Sequence, residues 1–138
     1  MKLKQYLASA AILASAVLVG GCGATFFNHT APNLSKNPSG IYTLQVDVNI
    51  QDTAVVKDTV QVNVVIDEKS HPMVRGQLSD NIWSYDYKLP KKYRAAKYYF
   101  EAEYLVLREK LLKPRQTKSD LYRFQLEDRY VGNLLAYR

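Results

Sequence analysis

Hydrophobic and polar residues alternate strictly in three stretches of the chain. In residues 41–50 every second position from Tyr42 to Ile50 is apolar, and the residues between them are mostly polar. Residues 59–66 and 82–89 repeat the pattern, with Trp83 on the apolar face of the last stretch and Pro90 at its end. Because alternate side chains of a β-strand point to opposite faces, this period of two predicts three half-buried strands.

Residues 95–112, AAKYYFEAEYLVLREKLL, fit two periods. As a strand the segment places Tyr98, Phe100 and Tyr104 on one face, whereas as a helix it aligns Phe100, Tyr104 and Leu107 with Leu111. The aromatic enrichment and the strands on either side favour the strand. Residues 121–126 alternate again, and residues 130–138 are predicted to form a last strand that Gly132 weakens.

Short strands at regular spacing predict a mostly β protein with one domain in residues 40–138, a single antiparallel sandwich of six or seven strands. That number of strands in about 100 residues is the size of an immunoglobulin-like (Ig-like) or fibronectin type III sandwich. The motifs YDYKLP and KYYFEAEY resemble the Ig-like domains of bacterial cell-surface lipoproteins. This resemblance implies a fold and carries no activity with it.

The amino-terminal 22 residues have a different composition. Lys2 and Lys4 precede an uncharged apolar run at residues 7–19, and Gly20 and Gly21 follow it. This order of positive charge, apolar run and small residues is typical of a signal peptide. The run would span roughly 20 Å as a helix, which is short of the ~30 Å hydrocarbon core of a membrane.

The sequence Val19-Gly20-Gly21-Cys22 resembles the lipobox of bacterial lipoproteins, and Cys22 is the only cysteine in the chain. The resemblance implies that signal peptidase II recognises Val19, Gly20 and Gly21 and removes residues 1–21. It also implies a diacylglyceryl group on the Cys22 sulfur and acyl chains such as palmitate. Because Gly23 replaces the Asp that often retains lipoproteins in the inner membrane, it implies an outer-membrane anchor in a Gram-negative cell. In a Gram-positive cell the same anchor would lie on the plasma membrane.

Residues 22–39 have the composition of a linker, with two prolines, several asparagines and almost no charge. We therefore expect the lipidated cysteine and a flexible tether here. Phe26 and Phe27 are an exception, and two interpretations stay open: they dip into the lipid interface or contact a partner, or they pack on the domain itself.

No arrangement typical of catalysis is found in the sequence. The only cysteine is assigned to the anchor, and the two histidines, His29 and His71, lie in the tether and in an expected turn. Zinc sites need three or four clustered ligands, so we expect no metal site. The prediction is a protein without enzymatic activity and with no cofactor besides the covalent lipid on Cys22.

The chain is basic, with 19 Lys and Arg against 13 Asp and Glu, and its basic residues cluster. One group surrounds Pro90, where the candidate binding residues are Tyr87, Lys91, Lys92, Tyr93 and Arg94; a second is Arg108, Lys110, Lys113, Arg115 and Lys118. An export signal argues against nucleic acid as a partner, which leaves anionic groups of the cell envelope.

Three functions remain open from the sequence, the weakest being a small hydrolase whose site the sequence does not reveal. The leading hypothesis is a lipid-anchored accessory subunit that docks another envelope protein through an edge strand, with the strand at Ile41 or the strand at residues 130–137 as candidate edges. The alternative is a binding module that takes an anionic glycan or lipid on its Tyr- and Lys-rich loops.

Overall fold

The computed structural model describes residues 23–128, in which ten β-strands and one short 3-10 helix form the regular structure. The helix is Lys57–Thr59. The strands are β1 (Ala24–Asn28), β2 (Asn33–Ser35), β3 (Ile41–Ile50), β4 (Gln61–Ile66), β5 (Lys69–Pro72), β6 (Val74–Arg75), β7 (Ile82–Lys88), β8 (Ala95–Arg108), β9 (Leu111–Lys118) and β10 (Tyr122–Glu127).

The strands form two sheets arranged like a sandwich. One sheet has the order β1-β3-β7-β6, and the other has the order β2-β10-β8-β4-β5, with β9 also paired to β8. The pairs are antiparallel except β2 and β10, which run parallel. The prediction of a mostly β protein built from antiparallel sheets is confirmed. The number of strands is higher than predicted because β1, β2, β5 and β6 carry too few residues to show a period, and because β9 (Leu111–Lys118) has no alternation of apolar and polar residues.

The alternating apolar faces of both sheets meet in one core. Leu44 and Val46 of β3, Val64 of β4 and Phe100 of β8 have no exposed surface. The rings of Tyr42 and Phe124, from opposite sheets, have centroids 5.9 Å apart. Trp83 is buried as the alternation predicted. β3, β4, β7, β8 and β10 therefore each contribute one apolar face to a shared interior, as period-two segments do when two sheets pack.

The ambiguous segment is a strand. β8 is 14 residues long, and its side chains from Ala96 to Val106 are buried at every second position. It pairs with β4 on one edge, and with β10 and then β9 on the other. Pairing on both edges satisfies the backbone hydrogen bonds that a helix would otherwise have satisfied internally.

The segment expected to be a flexible tether is part of the sandwich, which corrects that expectation. β1 pairs with β3 from Ala24 opposite Ile50 to Asn28 opposite Val46, and β2 pairs with β10. Phe26 packs against the core, whereas Phe27 is 67% exposed. The folded domain thus includes the strands at residues 24–28 and 33–35 and is not confined to residues from 40 onward. Alternate residues of β1 face the interior, although the run is too short to show a period.

The strand at Ile41 is not an edge of its sheet, which corrects the first candidate docking edge. β3 lies between β1 and β7 and pairs with both. The second candidate edge, residues 130–137, lies outside the described residues, as do Val19, Gly20, Gly21 and Cys22.

Candidate functional site

A groove with a basic rim lies at one end of the sandwich, between residues 36–40 and residues 88–94. The two segments meet because β3 begins where β7 ends, with Ile41 opposite Lys88. The backbone N–H of Leu89 donates to the carbonyl of Gly40 at 3.0 Å. We call the space that residues 36–40, 88–94, Tyr42 and Leu126 enclose the basic groove.

Residues 36–40 are held by a compact turn. The Asn37 side-chain oxygen accepts hydrogen bonds from the Gly40 N–H at 2.8 Å and from the Ser39 hydroxyl at 2.6 Å. The Asn37 N–H donates to the Tyr42 hydroxyl at 3.2 Å. Gly40 has a φ of 69°, a left-handed conformation that glycine adopts without steric cost. The segment is therefore a defined wall of the groove.

Residues 88–94 form the opposite wall and are held by their own turn. The Tyr93 N–H donates to the Pro90 carbonyl at 2.9 Å. The Lys92 ammonium nitrogen lies 5.0 Å from the centroid of the Tyr93 ring, within cation–π range. Arg94 forms an ion pair with Asp128 at 3.3 Å, between side chains that are both largely exposed. An exposed pair of this kind is weak, so a stronger anionic ligand can compete for Arg94.

The groove has a volume of about 500 Å³, which is in the range of small-molecule sites. None of the described residues that line it is acidic, and five are basic: Lys36, Lys88, Lys91, Lys92 and Arg94. Tyr42, Leu89 and Leu126 supply an apolar floor. Converging ammonium and guanidinium donors above an apolar floor suit a ligand with phosphate or carboxylate groups on a carbon skeleton.

The structure brings together four of the five candidate binding residues, Lys91, Lys92, Tyr93 and Arg94. The fifth, Tyr87, lines a neighbouring cavity of about 300 Å³ that also contains Asp67. Burial, with a smaller contribution from the charge of Asp67, raises the pKa of Tyr87 above its usual range.

The wall at residues 36–40 was not predicted as part of a site, because residues 36–39 were assigned to the tether and only Gly40 to the domain. The run Asn37-Pro38-Ser39-Gly40 is rich in turn-forming residues and follows Lys36. It signalled a turn, but not that the turn would meet the loop at Pro90.

Most of the second basic group lies toward the other end of β8, and Lys118, opposite Glu101, lies near the middle of that strand. β8 begins directly after Arg94 and ends at Arg108. Its length corresponds to roughly 40 Å of extended chain. Arg108 donates to the Asp52 carboxylate at 2.7 Å, and Lys118 lies 3.5 Å from Glu101. The two basic groups are therefore separate surfaces and not one rim.

His71 is not in a turn, which corrects its expected position. It lies in the edge strand β5, stacked on Tyr85 with ring centroids 5.0 Å apart, and its Nδ1 is 3.2 Å from the Tyr85 hydroxyl. Within residues 23–128 no three His, Cys, Asp or Glu side chains form a group that could hold a metal ion.

A further cavity of about 560 Å³ lies at the end of the sandwich opposite the basic groove. The guanidinium carbon of Arg75 lies 4.7 Å from the Trp83 ring centroid, and one guanidinium N–H donates to the carbonyl of Lys57 at 3.2 Å. Its buried Nε has no hydrogen-bond partner. Asp58 and Asp80 also line this cavity, so its charge is mixed, unlike that of the basic groove.

No family model and no curated protein matches the chain. Among residues 23–128 there is no helix of the length and apolar character needed to cross a membrane.

Proposed function

We propose that this protein is an envelope lipoprotein, anchored through a lipid on Cys22, whose domain binds an anionic glycan or lipid in the basic groove. The observation that carries the binding role is that five basic residues line a groove whose described lining contains no acidic residue. The anchor is supported by the sequence resemblance at Val19–Cys22 alone. The two parts of the proposal are therefore tested separately.

The anchor is tested by the mass of the mature protein. The full-length chain is produced in a bacterium that processes lipoproteins and is extracted from membranes with mild detergent. A mass equal to residues 22–138 plus diacylglyceryl and acyl groups supports the proposal. A chain that retains residues 1–21, or one that is cleaved elsewhere and carries no lipid, contradicts it.

The groove is tested by charge reversal with a matched control. The double variant Lys91→Glu/Lys92→Glu should bind peptidoglycan fragments, lipopolysaccharide or phosphatidylglycerol vesicles at least about tenfold more weakly than the native chain, because reversal turns attraction into repulsion. Lys57→Glu/Lys118→Glu makes the same change in net charge at two positions that line neither the basic groove nor its neighbouring cavity. Equal losses for both double variants would show that only the total charge matters.

Binding at the groove should also weaken with ionic strength. Raising the salt concentration from low to physiological shortens the Debye length from ~30 Å to ~8 Å, which screens exposed charges. A salt-independent affinity for all three probes would contradict an electrostatic ligand site. The probe that retains the strongest groove-dependent binding identifies whether the anionic group belongs to a glycan or to a lipid.

Docking of another envelope protein by strand addition is the second candidate function. The observation that favours it is Phe27, an aromatic residue 67% exposed on β1, which is an edge of its sheet. An exposed edge strand offers unpaired backbone groups to an added strand, and an aromatic side chain gives it specificity.

A pull-down from native membranes tests this candidate. Tagged full-length protein should retain a stoichiometric partner that Phe27→Lys releases and Phe27→Tyr keeps, because a lysine on an edge strand blocks strand addition. Equal thermal unfolding of the two variants shows that the domain is intact. A protein that elutes alone, or a partner that Phe27→Lys retains, contradicts docking at β1.

A further inference from the structure

Strands β8 and β9 extend beyond the other strands of their sheet as a hairpin with a leucine-rich tip. β4 pairs with β8 only as far as Glu103, but β9 accompanies β8 to Arg108. Leu107, Leu111 and Leu112 near the tip are 51%, 61% and 58% exposed. Leu107 lies directly opposite Leu112 in the register. We call residues 107–112 the leucine hairpin.

The leucine hairpin is rigid enough to present these side chains. A two-residue turn closes it, with Glu109 and Lys110 at φ values of 54° and 64°. The backbone N–H of Leu107 donates to the carbonyl of Ala54 at 2.9 Å, and Arg108 pairs with Asp52. The loop at residues 52–56 therefore flanks the hairpin as far as Leu107. Leu107 and Leu112 lie on one face of the hairpin, and Leu111, opposite Arg108, lies on the other.

Basic residues surround the exposed leucines. Residues 107–115 contain four basic side chains and one acidic one. The basic ones are Arg108, Lys110, Lys113 and Arg115, and the acidic one is Glu109. Because Arg108 is paired with Asp52, the cations that flank the leucines without that partner are Lys110, Lys113 and Arg115. A protein partner of mixed charge would not need this bias, whereas apolar side chains flanked by cations match the interface of an anionic bilayer, in which leucine enters the acyl region and lysine meets the phosphates.

The start of the described chain lies at the same end of the domain. The Gly23 carbonyl accepts a hydrogen bond from the Gln51 N–H at 2.7 Å. Gly23 lies so close to Tyr104 that an added Cβ would approach its hydroxyl oxygen to 2.5 Å. Tyr104 precedes Arg108 by four positions on β8, or roughly 14 Å of strand. Cys22 is the residue next to Gly23.

We propose that the leucine hairpin inserts into the surface of the anionic membrane that holds the lipid on Cys22. The inference rests on the proposed anchor, because the anchor and the hairpin would contact the same bilayer. In that arrangement β8 is inclined to the membrane surface. The basic groove, at the other end of β8, then faces away from that membrane. This orientation favours an anionic glycan over a headgroup of the same bilayer as the ligand of the groove.

Depth-dependent fluorescence quenching tests the insertion in the lipidated full-length protein. Leu111→Cys is labelled with an environment-sensitive thiol dye and reconstituted into phosphatidylethanolamine vesicles that contain phosphatidylglycerol and a lipid-borne quencher. The native chain has one cysteine, and a lipidated Cys22 has no free thiol, so the dye reports the hairpin alone. We expect several-fold stronger quenching than in the control, and weaker quenching when phosphatidylcholine replaces phosphatidylglycerol.

Lys69→Cys is the matched control, because it is the equivalent position of the other tight hairpin. Leu111 directly follows the two positive-φ residues of its turn, Glu109 and Lys110. Lys69 likewise directly follows the two positive-φ residues of the other turn, Asp67 and Glu68. Asp67 lines the cavity next to the basic groove, at the far end of the molecule. Adding Leu107→Asp/Leu112→Asp to the Leu111→Cys chain should remove the quenching at the tip.

The outcomes separate the hairpin from the anchor. Equal quenching at positions 69 and 111 in a chain whose mass shows the lipid overturns the hairpin inference and leaves the anchor intact. A second dye on Cys22 overturns the anchor, and quenching at position 111 in that chain still supports insertion. A complex with a second protein or a second copy of the chain that survives in detergent, and that Leu107→Asp/Leu112→Asp releases, indicates a protein contact at the tip and overturns the inference.

Discussion

The side-chain amide of Asn28 donates a hydrogen bond to the Tyr98 hydroxyl at 2.8 Å and so links the two sheets of the sandwich. Asn28 ends β1 and Tyr98 lies in β8, 70 residues later. Tyr98 is almost fully buried, and its ring contacts those of Phe100, Tyr122 and Phe124. A residue of the expected tether thus satisfies the polar group at the centre of the aromatic core.

Tyr98→Phe should lower the free energy of unfolding by about 1–2 kcal/mol, because it leaves the Asn28 amide without its partner while the ring remains. Tyr99→Phe is the control, since the neighbouring side chain lies on the other face of β8 and is half-buried. Urea unfolding of both variants measures the difference. Equal stabilities would show that the inter-sheet hydrogen bond contributes nothing.

The same residue should make the domain sensitive to alkali. Burial raises the pKa of Tyr98 above its ordinary value of 10.0, against a smaller lowering by the Asn28 hydrogen bond. The stability linked to the neutral hydroxyl is therefore complete below pH 10.0 and is lost as the pH rises toward the folded-state pKa, because the unfolded chain ionises first. Tyr98→Phe should reduce this alkaline loss of stability. If the free energy of unfolding of Tyr98→Phe falls with rising pH as steeply as that of the native chain, the alkaline loss of stability comes from other tyrosines.

The two neighbouring phenylalanines of β1 should respond differently to truncation. Phe26→Ala should destabilise the domain by about 2 kcal/mol because its ring packs on the core, whereas Phe27→Ala should cost less than about 0.5 kcal/mol because its ring is exposed. Thermal or urea unfolding provides both values. Equal small effects would mean that β1 adds little to the fold, as a tether would.

The turn of the leucine hairpin should be open to stabilisation. Lys110 has a φ of 64°, which costs a residue with a Cβ about 1 kcal/mol relative to glycine. Lys110→Gly should therefore raise the free energy of unfolding by about that amount. Lys113→Gly removes the same charge from the interior of β9 and should be destabilising. A loss of stability in both variants would contradict a left-handed conformation at Lys110.

Asp52 should contribute to stability against acid. A hydrogen bond from the Ala54 N–H, and then one from Arg108, hold the pKa of Asp52 below its ordinary value of 3.8. The associated stability is present above pH 3.8 and is lost as the pH falls through the lower folded-state pKa. Asp52→Asn should flatten this acid dependence in urea titrations, with Asp58→Asn as the control for charge. Equal slopes in the native chain and in Asp52→Asn would contradict the shift.

The sequence by itself determined the class of fold and most of the core. Strict alternation around Val46, Val64 and Trp83 predicted which faces are buried. A strand has only two faces, and the hydrophobic effect buries the face that carries the apolar side chains. The cluster at Lys91 and Lys92 was also visible, since a turn at Pro90 brings local neighbours together without help from the rest of the chain.

Tertiary structure alone decided the rest. Ala24–Asn28 is too short to show a period, and it is a strand because β3 offers it a partner about 20 residues away in sequence. Lys36 joins Lys91 in one groove because β3 starts beside the end of β7. The length of β8, which pairs with β4, β9 and β10, separates most of the second basic group from the first, so that one end of the domain carries Gly23 and the leucine hairpin and the other carries the groove. Local sequence patterns carry no information about how far apart these surfaces lie. That spacing arises only when strands distant in sequence pair with one another.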